Sequence, residues 1–176
     1  MSDQDLVDAY ANALFDIARA EEALETVESE LFTVARTIES SDELRSALTD
    51  ARMPIESRQA LVEKLLNERA HPTTVSLVSF IIGAGRARDL GAVVDKLVER
   101  STSERGQEVA EVRSAMPLDD GQRERLAQAL AAATGKKVSV KVIVDPSVLG
   151  GLVARVGDTV IDGSVRHRLT QLRASL

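Results

Sequence analysis

In this chain of 176 residues, the places where chemistry could reside are two histidines, three aspartates beside turns and two glycine-containing strings. Asp145, Asp158 and Asp162 are the residue type a paired-carboxylate site needs, because two carboxyl groups in different surroundings can hold and release a proton. Each, however, stands next to a Pro or Gly turn signal, where Asp is favoured because its side chain bonds the local backbone. His71 and His167 fall in different halves and have no carboxylates at ligand spacing, so capping or solvated roles are expected. Gly83-Ala84-Gly85 fails as a dinucleotide fingerprint, since its third glycine position is Arg88 and the preceding segment has helical caps where a strand is required. The string from Gly150 to Thr159 lacks the lysine of a phosphate-binding loop. With no Cys at all, disulfides, thiol catalysis and Cys-ligated metal are excluded. The reading is therefore no active site, no metal and no cofactor.

The elements around these residues are mostly helical in the first half. Ser2 and Asp5 form a capping box for a helix to about Ala20, with Leu6, Tyr10, Ala13, Leu14 and Ile17 on its inner face. Leu24, Val27, Leu31, Val34 and Ile38 then describe a narrow seam on a second helix. Residues 21–43 hold eight carboxylates against Arg36 alone, which gives that helix a solvated acidic face. Ser40 with Glu43 is a capping box for a short third helix with Leu44, Ala47 and Leu48 inward. Pro54 suits the start of a fourth, whose stripe is Ile55, Leu61, Val62, Leu65 and Leu66, and Pro72 opens a fifth. Val75, Leu77, Val78, Phe80, Ile81 and Ile82 cover nearly the whole circumference of that fifth helix, so it must be buried all round or covered by something else. A sixth helix begins near Asp89, with Leu90, Val93, Leu97 and Val98 inward.

From Gly106 the period changes. Glu108 to Met116 reads as a strand with Ala110, Val112 and Met116 on one side, and Pro117 ends it. Asp119 and Gln122 cap a helix that stops at Gly135. Val138, Val140, Val142 and Val144 alternate with Lys137, Ser139, Lys141 and Ile143 as a strand with one buried face. Leu152, Ala154 and Val156 start another, Thr159 to Asp162 a third, and Ser164 caps a closing helix with Val165, Leu169, Leu172 and Leu176 on one face. The fold class expected is mainly α: a six-helix bundle over 1–105, then a small α+β domain over 106–176 with a short sheet and C-terminal helix.

Charge supports the division. Residues 1–105 hold 20 acidic and 12 basic side chains, net −8, while residues 106–176 hold 8 and 10, net +2. The overall charge of −6, with one Tyr, three Phe and no Trp, opposes a nucleic-acid partner, which needs cations and stacking platforms. Asp3, Asp5 and Asp8 argue against a signal or transit peptide, and no apolar run approaches the roughly 18 residues of a membrane span, so no direct membrane insertion is expected.

Two strings carry a resemblance to a known family. DPSVLGGLVARVGDTVIDGSVRHRL, from Asp145 to Leu169, is similar to the C-terminal signature of the delta subunit of F-type ATP synthases, the family that includes the mitochondrial oligomycin sensitivity conferral protein. Tyr10, Ala11, Ala13, Leu14, Phe15 and Ala18 resemble that family's opening helix. The resemblance implies a non-catalytic stator subunit, one copy per complex, joining the catalytic head to the peripheral stalk. It implies that the N-terminal domain holds N-terminal helices of the head's alpha subunits in a cleft made by the first and fifth helices. Tyr10, Ala13 and Phe80 would line it. The C-terminal domain would grip the C-terminal part of a b-type stalk subunit, with Val165, Leu169 and Leu172 on its final helix as candidates. A location on the cytoplasmic side of a bacterial plasma membrane, held there by the complex, follows from the same resemblance. The alternative is a free-standing helical protein-interaction adaptor; an enzyme built on Asp145, Asp158 and Asp162 comes third.

Overall fold

In the computed structural model, residues 3–148 and 151–162 are described. They form seven α-helices and one four-stranded sheet, mainly α with a small α+β part. The chain divides into two compact units, Met1–Ser101 and Thr102–Leu176.

The first unit is built from α1 (Asp3–Ala20), α2 (Leu24–Ser40), α3 (Asp42–Thr49), α4 (Ile55–Leu66), α5 (Pro72–Gly83) and α6 (Leu90–Glu104), the last entered through a 3-10 turn at Ala87–Asp89. Its core is aliphatic, with Leu14, Phe15, Val27, Leu31, Val78, Ile81, Val93 and Leu97 all fully buried. On α5, Pro72 occupies the first turn and the His71 ring Nδ1 accepts the Thr73 N–H at 3.3 Å, so this histidine caps a helix. The Gly83-Ala84-Gly85 string is the exit from α5: Gly85 takes φ 72°, and its N–H reaches the Ile82 carbonyl at 3.0 Å.

Three local expectations shift. The cap of α3 is Ser41, whose Oγ accepts the Leu44 N–H at 3.2 Å, while Ser40 donates back to the Thr37 carbonyl at 3.0 Å. Either serine has an acidic residue close behind, so sequence spacing alone does not separate them. On α2 the buried face includes Phe32, Ala35 and the carboxylate of Glu28, which accepts the Ser101 hydroxyl at 2.6 Å. Val34 and Ile38 are only half-buried. On α4 only Val62 of the expected stripe is buried; Arg58 is buried beside it, donating to the Leu48 carbonyl at 3.3 Å. Ile55 and Leu65 are exposed. The expected cap at Ser2 lies outside the described residues.

The second unit contains β1 (Glu108–Ser114), α7 (Asp120–Thr134), β2 (Val138–Val144), β3 (Leu152–Val156) and β4 (Thr159–Asp162), with strand order β2-β1-β3-β4. β1 and β2 are parallel, so they need the crossover that α7 supplies. β3 and β4 are antiparallel additions. The reciprocal cap of α7 is present: Asp119 Oδ1 accepts the Gln122 N–H at 2.7 Å, and Gln122 Oε1 accepts the Asp119 N–H at 2.9 Å. Gly135 ends the helix at φ 71°, where a side chain would strain the backbone. Ala110, Val112, Leu130, Val138, Ala154 and Val156 form this unit's core. β1 stops at Ser114, and Met116 is 71% exposed, because Ser114 Oγ takes the Met116 N–H and turns the chain away. β2 is an edge strand, which leaves Val144 exposed and its alternation only partly expressed in burial. The closing helix expected after Ser164 lies outside the described residues.

Candidate docking surface

The wheel of α1 explains which of its residues are available. Its buried stripe is Val7, Ala11, Leu14, Phe15 and Ala18. On one flank of that stripe, Asp8, Asn12 and Asp16 recur every four residues and meet α6: Arg100 donates to Asn12 Oδ1 at 2.7 Å and to Asp16 at 3.2 Å, while its guanidinium lies 4.2 Å from the Phe15 ring centroid. Asp8 also contributes to raising the pKa of Lys96, behind the larger effect of the Glu99 hydrogen bond. With one flank buried and the next clamped, the other flank must face outward. It carries Leu6, Tyr10, Ala13 and Ile17, about 100° from the buried stripe by helical geometry. Leu6 and Tyr10 are half-buried, Ala13 is exposed and Ile17 is 43% exposed. This corrects the expectation that these four residues face the core; only Leu14 of the expected inner face does.

α5 extends the strip. Five of its six strongly apolar positions are wholly or partly buried, but Phe80 is 51% exposed. Its ring centroid lies 5.8 Å from that of Tyr10, at an interplanar angle of 49°, within the range of a favourable tilted aromatic pair. Arg86, just beyond α5, donates to Asp89 at 2.9 Å and lies 3.5 Å from Asp3 at the start of α1. Arg86 is held above its ordinary pKa chiefly by the Asp89 hydrogen bond, with Asp3 adding a smaller share. With Phe80 beside Tyr10 and Arg86 beside Asp3, the two helices run antiparallel. Tyr10, Ala13 and Phe80 thus fall on one exposed apolar strip. Leu6 and Ile17 complete it, and the signal for them was that α1 carries two apolar stripes where one suffices for burial. Val165, Leu169 and Leu172 lie outside the described residues.

The aspartates of the second unit do not gather. Asp145 sits at the end of β1 and β2, its N–H on the Ser114 carbonyl at 2.8 Å, and its carboxylate accepts the Ser147 hydroxyl and N–H at 2.6 and 2.9 Å. Those bonds hold it below the ordinary Asp pKa, the hydroxyl bond contributing most. Asp158 lies past Val156, which pairs with Ala110 near the opposite end of β1, so about 15 Å of strand separates the two. Asp162 pairs by backbone with Val153. Among the described residues no group of three His, Asp or Glu is placed to hold a metal.

What fold and surface define is a helical unit that presents an unfilled apolar strip, joined in sequence to a small α+β unit. The family model described as "ATP synthase delta (OSCP) subunit" matches residues 6–176, and the chain belongs to that family. Relatives named ATP synthase subunit delta include one from Nocardia farcinica, 46% identical over 119 residues covering 68% of this chain and 44% of that one. A second, from Streptomyces avermitilis, is 40% identical over 174 residues, covering 97% of this chain and 64% of that one. The chain thus spans about half the length of these actinobacterial relatives. A third, from Carboxydothermus hydrogenoformans, is 30% identical over 167 residues and is covered to 94% of its length. Among solved structures, a chain of the Toxoplasma gondii mitochondrial ATP synthase hexamer superposes with a TM-score of 0.57 at 25% identity, covering 97% of this chain and 96% of that one.

Proposed function

We propose that this protein is the non-catalytic stator link of a proton-translocating F-type ATP synthase, one copy joining the catalytic head to the peripheral stalk. Family membership supplies the class, and one observation carries the detail: the exposed strip of Leu6, Tyr10, Ala13, Ile17 and Phe80 on α1 and α5. An amphipathic helix laid along two antiparallel helices buries such a strip in the helix-in-groove manner. The partner on this reading is the N-terminal helix of an alpha subunit of the head, received by the six helices acting as one bundle. The second unit receives the C-terminal part of a b-type stalk subunit. Val165, Leu169 and Leu172 are the candidate contacts there, and the net charge of +2 over residues 106–176 favours an acidic stalk segment.

A link under rotor torque must not dissociate, so each contact is expected to reach nanomolar affinity, about −12 kcal/mol. Two contacts on one chain add effective concentration. The protein sits on the cytoplasmic side of a bacterial plasma membrane through the complex; no helix among the described residues is long and apolar enough to cross a membrane.

The test is titration calorimetry of the full chain with a synthetic peptide of the head's alpha-subunit N-terminus, alongside co-purification with stalk. Phe80→Asp should weaken peptide binding by about thirtyfold or more while leaving stalk co-purification intact. Undiminished peptide binding by Phe80→Asp contradicts the assignment.

A further inference from the structure

A second apolar feature of the first unit lies away from α1. α2, α3, α4 and α5 border a half-open pocket of about 430 Å³ whose apolar lining includes Val34, Ile38, Leu48, Val62, Leu66 and Val78. Its size falls within the roughly 300–1,000 Å³ of small-molecule pockets, and its walls are aliphatic, with no aromatic face on which a planar ring would stack. Val34, Ile38 and Leu66 are only half-buried, so an apolar occupant would cover surface the fold leaves wet, while Leu48, Val62 and Val78 back the pocket from the core.

The polar groups at its edge are unequal. Thr33 and Thr37 donate to the Ser29 and Thr33 carbonyls at 3.0 and 2.8 Å, so their hydroxyl protons are spent on their own helix. Glu30 Oε2 accepts the His71 N–H at 2.8 Å and the Thr74 hydroxyl at 2.5 Å. Arg69 is different. The turn after α4, with Glu68 at φ 66° and the Arg69 and Ala70 N–H groups both on the Leu66 carbonyl, sets this exposed side chain at the rim. Among the described residues its guanidinium makes no hydrogen bond or ion pair.

We propose that this pocket binds a single-chain aliphatic monocarboxylate, its tail among Val34, Ile38 and Leu66 and its headgroup on Arg69. A guanidinium fork matches a carboxylate in geometry, and one cation matches one negative charge. The fixed Glu30 carboxylate on the same lining disfavours a dianion such as a phosphate monoester.

The experiment uses the full chain with decanoate, decanol and decyltrimethylammonium, each below its micelle concentration, read by calorimetry and by the methyl NMR shifts of Val34 and Leu66. Decanoate should move both methyls and bind about threefold or more tighter than decanol, the modest advantage of an exposed ion pair, and that advantage should shrink with added salt. Arg69→Gln should remove the advantage and leave decanol binding unchanged. Val34→Phe should weaken decanoate and decanol together, and neither variant should alter peptide binding at the α1–α5 strip. Equal affinity for decanoate and decanol, an unaffected Arg69→Gln, or shifts confined to other methyls overturns the proposal. So does binding of an amphipathic peptide in this cavity with no binding of decanoate; the wild-type shift map decides even if Val34→Phe does not fold.

Discussion

The two apolar features of the first unit differ in shape, in side-chain type and in how charge frames them. The α1–α5 strip includes two aromatic rings with Ala13 as a small position between larger neighbours, and the Arg86 bridge to Asp3 and Asp89 stands at one end. The cavity among α2 to α5 is concave and aliphatic, with Arg69 at its rim. Both arise because some helices carry more apolar surface than the core can absorb. The lesson is that surplus of this kind is not interchangeable: an aromatic strip along two antiparallel helices suits a third helix, whereas a pocket between four suits a compact chain.

Adjacent residues on α5 break the comparison most sharply. Ile81 is fully buried and Phe80 is half-exposed. Ile81→Ala should cost about 2–5 kcal/mol of unfolding free energy, read from urea melts, through the cavity it leaves. Phe80→Asp should cost the melt only on the order of 1 kcal/mol, through the lost Tyr10 ring contact, yet lower affinity for the head peptide by about 2 kcal/mol or more, since it places a charge where an apolar contact is desolvated. Tyr10→Ala should cost less binding, on the order of 1 kcal/mol through lost contact area, and should lower the melt by a similar amount through the lost ring contact with Phe80.

A smaller effect tests the scaffold that both features share. Ser41→Ala should destabilise by about 1 kcal/mol through the α3 cap, while Ser40→Ala should stay within a few tenths. Smallest of all is the acid response. Asp50, bonded first by the Arg52 side chain and then by its N–H, and Asp145, bonded by Ser147, both have lowered pKa values. Their contribution is present above the ordinary Asp value of about 3.9 and is lost as pH falls through the lowered folded values. Carboxyl NMR titrations should show both midpoints below the ordinary Asp value of about 3.9.

Residue chemistry that acts over three or four neighbours was legible from the chain. The Asp119–Gln122 box, Pro72 in the first turn of α5, the Gly135 stop and the helical exit at Gly83–Gly85 each depend on local backbone geometry. What periodicity could not choose was the face. α1 has two apolar stripes of similar strength, and Arg100 and Lys96, about 90 residues away, decide which one turns outward. Arg58 on α4 was missed because nothing in spacing foretells that a cation will be buried to meet the Leu48 carbonyl. Met116 kept strand parity but lost the strand to a serine turn. The exposed strip was therefore half legible: Tyr10, Ala13 and Phe80 came from a family resemblance, while the outward turn of the α1 residues came only from the packing of α6.

The strand at the centre of the second unit has both its neighbours encoded after it. β1 pairs with β2 across the length of α7, and with β3 only once residues 152–156 have been made. A nascent chain halted after α7 therefore leaves both rims of β1 without a partner, a template for adhesion to other chains.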